Sequence, residues 1–106
     1  RLGNLNELIL PPAPSDDGVN FDVYQNYELQ AENRNALKIF LHDNGIGTLI
    51  QWGGTAIHQF TDLGFDQKCP NTDVFFDKCI MLPMNVFISD DDIHYVCDKV
   101  ESFYRD

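Results

Sequence analysis

Residues 89–104 constrain the fold more than any other part of the chain. Ser89-Asp90-Asp91-Asp92 reads as a capping box with its carboxylate in the short Asp form, and Ile88 is placed to staple onto Ile93. Behind that start, Ile93, Val96, Cys97, Val100, Phe103 and Tyr104 recur at the helical period, which predicts an amphipathic helix with one apolar stripe. Such a helix must bury its stripe against a second layer. Residues 21–31 offer one. Phe21, Val23, Gln25, Tyr27, Leu29 and Ala31 alternate with Asp22, Tyr24, Asn26, Glu28 and Gln30, so a strand with one wet face is expected.

The other elements follow from local chemistry. Leu8-Ile9-Leu10 is a brief apolar strand, stopped by Pro11-Pro12-Ala13-Pro14 because proline cannot donate to a ladder. With Ser15-Asp16-Asp17-Gly18 added, residues 1–18 read as a connector and short strand from a preceding domain, leaving 19–106 as a small domain. Asn33 is the expected N-cap of a helix over residues 34–44, which Gly45 closes in the left-handed conformation. A second long strand is expected over residues 46–51, then a tight break at Trp52-Gly53-Gly54-Thr55. Residues 56–63 read as a short helix ending at Gly64, and Pro70 opens a helix through residues 71–79. Ile80-Met81-Leu82 is a further strand, ended by Pro83. The economical architecture is an α+β two-layer sandwich: a small, mostly antiparallel sheet of three or four strands with helices on one face, the other left to a partner domain.

Composition narrows the function. Seven Lys and Arg against 17 Asp and Glu give a net charge of −10, which repels phosphate backbones and acidic lipid, so neither nucleic acid nor membrane is an expected partner. Cys69, Cys79 and Cys97 form no CxxC pair, and no N-glycosylation sequon occurs, which favours a reducing, cytoplasmic setting. No apolar run is long enough to span a bilayer and no signal peptide opens the chain.

Few residues carry chemistry. Asp90, Asp91 and Asp92 point about 100° apart on a helix and serve its dipole better than a metal. His42, His58 and His94 have no metal-pair spacing, and the glycines match neither a dinucleotide fingerprint nor a P-loop. Lys38, Lys78 and Lys99 fall in helices and Lys68 in a polar loop, so none reads as a desolvated nucleophile. The segment holding Gln51, Trp52 and His58 differs: donors, an acceptor and a stacking face would suit a sugar or nucleotide. For Trp52-Gly53-Gly54-Thr55 itself, a plain turn fits as well as a binding surface.

The chain from Leu10 to Tyr104 resembles the carboxy-terminal small domain of the DegT/DnrJ/StrS family of PLP-dependent nucleotide-sugar aminotransferases. The likeness is carried by Leu10-Pro11-Pro12, Val23-Tyr24-Gln25-Asn26-Tyr27, Asn33-Arg34 through Leu41, Gly45-Ile46-Gly47-Thr48, Ile57-His58, Asp62-Leu63-Gly64-Phe65, Leu82-Pro83-Met84 and Ile88 through Ile93. The resemblance implies the type I aminotransferase fold and an active site between two subunits of a homodimer. In that family the larger amino-terminal domain supplies the lysine and phosphate-binding groups for PLP. The chain, opening at Arg1 without Met, is therefore expected to be a fragment, inactive alone and holding no cofactor of its own. It would close the site on a keto nucleotide sugar that receives an amino group originating from glutamate. Gln25, Asn26, Gln51, Trp52 and His58 are the implied substrate contacts. Glutamine stands at Gln25 and Gln51 where the family often has His, and Trp52 where it has Tyr, which points to a different sugar or regiochemistry. A free-standing acidic module that binds a small ligand or a protein without catalysis is the alternative.

Overall fold

The computed structural model describes residues 1–15, 18–19 and 23–106. Asp16 and Asp17 of the expected connector, and Phe21 and Asp22 of the expected first long strand, lie outside the described residues. Strands β1 (Leu8–Ile9), β2 (Tyr27–Ala31) and β3 (Cys79–Leu82) form an antiparallel sheet in that order, joined by helices α1 (Arg34–Asp43), α2 (Pro70–Lys78) and α3 (Asp90–Arg105). The architecture is α+β, as the patterning predicts.

The register explains the core. Leu8 lies opposite Ala31, Leu29 opposite Ile80 and Tyr27 opposite Leu82, and cross-strand partners share a face. Leu37 and Leu41 of α1 and Val96 and Val100 of α3 meet that face in one buried cluster. Phe40 and Phe103 add a tilted ring contact at 5.4 Å between the two helices. Full burial of each aliphatic side chain stabilises the domain by roughly 1.5–3 kcal/mol. Of the stripe read from α3, Val96 and Val100 are buried and Cys97, Phe103 and Tyr104 pack partly buried against the cluster, while Ile93 at its start stays exposed. Leu2 and Leu5, from a 3₁₀ turn at Leu2–Asn4, belong to the same cluster, and the Arg1 guanidinium pairs with Asp98 and Glu101 of α3.

The Ser89 capping box forms as read: the Asp92 N–H donates to Ser89 Oγ at 3.1 Å, and the Ser89 N–H donates to Asp92 Oδ2 at 3.0 Å. Gly45 and Gly64 take positive φ of 76° and 87° where helical segments end. Pro70 occupies the first turn of α2.

Four expectations need correction. Among the described residues of the strand expected over residues 21–31, only Tyr27–Ala31 is strand, and residues 23–26 are exposed and outside the sheet. Its ladder with β3 runs out at Leu82, because Pro83 follows and has no N–H to donate. The strand expected over residues 46–51 shrinks to one antiparallel bridge, Leu49 with Met81, since the chain then turns away at Trp52. The helix over residues 56–63 is instead two 3₁₀ turns, Ile57–Gln59 and Thr61–Leu63. Asn33 precedes α1 as predicted, but in the left-handed region (φ 53°, ψ 34°) and without a side-chain cap, using the tolerance of Asn for αL instead of its oxygen.

Candidate functional site

After the bridge to Met81, the chain enters a left-handed turn. Trp52 (φ 51°, ψ 31°), Gly53 (φ 67°) and Gly54 (φ 82°) follow one another with positive φ. Glycine adopts this freely, whereas a bulky residue such as Trp carries a cost of roughly 1–2 kcal/mol. That cost is borne by a side chain left 79% exposed, so core packing does not offset it.

The indole borders a cleft of about 520 Å³ that Thr55, Ile57 and Phe60 line from one side and Thr72 and Phe76 of α2 from the other. Apart from two threonine hydroxyls, these side chains are apolar or aromatic, which suits a ligand with one apolar face and a polar edge. A second, smaller cleft of about 130 Å³ sits where Asn26 approaches Leu49, Met81 and Met84.

The sequence-predicted contacts are thus split. Trp52 lines the larger cleft and Asn26 the smaller. Gln25 is exposed just before β2. Gln51 is half-buried, its backbone facing the Cys79 thiol. His58 turns to α2: its Nε2 lies 2.6 Å from Asp73 Oδ1, and only 10% of its side chain is exposed. The same oxygen accepts from Gln59 Nε2 at 2.7 Å, while Gln59 Oε1 accepts from the Ala56 N–H at 3.0 Å. Hydrogen bonds from His58 and then from Gln59 hold the Asp73 carboxyl below its ordinary range.

Sequence reasoning missed the cleft walls. Asp73 and Phe76 fall in the sequence only as members of the helix that Pro70 opens. That pattern signals no partner fifteen residues away.

Two further groups bear on reactivity. Burial pushes the Cys79 thiol up, reinforced by Glu28, whose Oε1 is itself buried without a hydrogen bond among the described residues. Cys79 is therefore an inert thiol. Among the described residues, no group of three or more His, Cys, Asp or Glu could hold a metal ion, and no helix is long and apolar enough to cross a membrane.

PLP requires a desolvated amine in a cavity, and none of the four lysines offers one. Lys38 and Lys68 are exposed, Lys78 is paired with Glu32, and the Lys99 ammonium lies 5.4 Å from the Tyr95 ring centroid. None borders the Trp52 cleft. These residues do not fit a PLP seat.

The model of the DegT/DnrJ/EryC1/StrS aminotransferase family matches residues 1–101. The chain belongs to this family. A pleiotropic regulatory protein of Geobacillus stearothermophilus is 26% identical over 104 residues, which cover 95% of this chain and 27% of that protein. An aminotransferase from Streptoalloteichus hindustanus superposes with a TM-score of 0.83 at 21% identity, over 95% of this chain and 27% of its own. A sugar aminotransferase from Micromonospora echinospora gives 0.75 at 19% identity, over 95% and 26%. The two structures establish the shared fold. This chain spans about a quarter of the length of these relatives.

Proposed function

We propose that this chain is the small, sugar-contacting domain of a PLP-dependent aminotransferase that passes an amino group from glutamate to a keto sugar linked to a nucleotide. One observation carries the reading: in a member of an aminotransferase family, an exposed indole in a strained backbone conformation stands over an apolar cleft edged by two threonine hydroxyls. An indole stacks on the apolar face of a pyranose ring, and hydroxyls answer its polar edge. Gln25 and Asn26, just before β2, and Gln51, before the turn, are the polar side chains assigned to the substrate. His58 contributes by fixing the turn beside Trp52.

When bound, PLP supplies the electron sink for transamination. Its attachment is assigned to the part of the enzyme corresponding to the remaining three-quarters of the relatives' length, in a cytoplasmic homodimer. The net charge of −10 fits this division. An acidic domain receives the uncharged sugar, and the diphosphate is held elsewhere.

Trp52 is the chain's sole Trp, so its fluorescence reports on the cleft. Titration with a nucleotide-linked hexose is expected to shift the emission saturably, while the nucleoside diphosphate alone leaves it unchanged. An emission indifferent to the sugar contradicts the reading.

A further inference from the structure

We propose that Asp73 is a positioning residue for the Trp52 cleft: one carboxylate oxygen holds His58 and Gln59 together, fixing the wall that carries Ile57 and Phe60 against the α2 wall that carries Thr72 and Phe76. The clasp stands on geometry alone, and the inference rests on the sugar reading only for what occupies the cleft.

The wall needs an external hold. Ile57–Gln59 is a single 3₁₀ turn, kept by Gln59 N–H to Ala56 O at 3.0 Å and Phe60 N–H to Ile57 O at 3.2 Å. Such short turns have poor hydrogen-bond geometry and little stability of their own. α2 is a true helix, and the Asp73 N–H already bonds to the Cys69 carbonyl at 3.0 Å. The Asp73 side chain is not its cap. It reaches instead to the neighbouring turn and accepts two donors there, at 2.6 Å from His58 and 2.7 Å from Gln59.

A carboxylate only accepts, so the His58 proton at this contact resides on Nε2. Gln59 extends the network through Oε1 to the Ala56 N–H. A continuous run of hydrogen bonds therefore links Ala56, Gln59, Asp73 and His58, and every bond in it spans or borders the cleft wall. Connected bonds of this kind, with one charged member and His58 largely shielded, hold geometry better than isolated ones. An acid serving the helix dipole alone would not have to meet two donors from another turn.

The test compares Asp73→Ala and Asp73→Asn with the natural sequence in the full-length protein. Asp73→Ala is expected to speed amide hydrogen exchange at residues 56–60 and to raise KM for a nucleotide-linked keto hexose on the order of tenfold, the loss typical of a hydrogen bond to a charged group. KM for glutamate should stay unchanged. Asp73→Asn keeps one acceptor oxygen and should fall between. Unchanged exchange at residues 56–60 overturns the proposal, as does exchange that rises evenly through β2 and α3, or a loosened turn with an unaltered sugar KM. Trp52→Ala separates the two claims: if that variant also leaves the sugar KM unaltered, the sugar reading has failed.

Discussion

Leu49 and Met81 exchange both backbone hydrogen bonds, the Leu49 N–H to Met81 O at 3.2 Å and the Met81 N–H to Leu49 O at 2.8 Å. This bridge fastens the segment leading into the Trp52 turn to the free edge of β3. Leu49→Pro removes one of the two bonds and leaves the Met81 carbonyl without its partner. It should destabilise the domain by about 1–3 kcal/mol, read as a lower denaturation midpoint. A midpoint equal to that of the natural sequence would show that the bridge does not anchor the turn.

The reciprocal cap at Ser89 and Asp92 makes a second prediction. Ser89→Ala should cost about 1 kcal/mol, lowering Tm by about 4–8 °C for a domain of this size. Asp92 is held below its ordinary value of 3.8, first by the Ser89 hydroxyl and then by its backbone N–H. Its contribution is therefore complete above that ordinary value and is lost as pH falls through the lower, folded one. In Ser89→Ala the acid limb of a Tm-against-pH curve should be shallower.

Tyr104 donates its hydroxyl to the Glu32 carbonyl at 2.7 Å, and burial, helped by Glu7 and Glu32, pushes its phenol up to about 12. A neutral acid with a raised folded value stabilises the fold fully below the unfolded value near 10, and that stabilisation is lost as pH rises from 10 to 12. Burial also raises the Tyr27 phenol, by less, so alkaline absorbance titration should show Tyr104 as the last tyrosine to ionise, together with unfolding. Tyr104→Phe should abolish that late step; its persistence would place the raised phenol elsewhere.

The fold was legible where one pattern had one meaning. The stripe of α3 and its capping box, the proline at the start of α2 and the glycine after α1 each follow from local chemistry that no distant contact overrides. The strand limits were not legible, because they depend on partners: β2 stops being a strand at Tyr27 since Pro83 ends β3 beside it, and among the described residues the 46–51 segment finds a strand partner only where Leu49 meets Met81. The site was half legible. Trp52 stood out as a bulky residue among glycines, but its cleft is built from Thr72 and Phe76, which the sequence presents as ordinary helix residues. His58 was visible as a polar group near the loop; its commitment to Asp73 is a tertiary fact.

The central claim is that Trp52 grips the sugar while PLP is held outside these residues. Steady-state kinetics of Trp52→Ala in the full-length enzyme tests it most directly. The account predicts that KM for the nucleotide-linked keto sugar rises by about tenfold or more, the loss of one stacked, desolvated aromatic contact, with the PLP content of the purified enzyme unchanged. An unaltered sugar KM, or loss of PLP in its place, would contradict it.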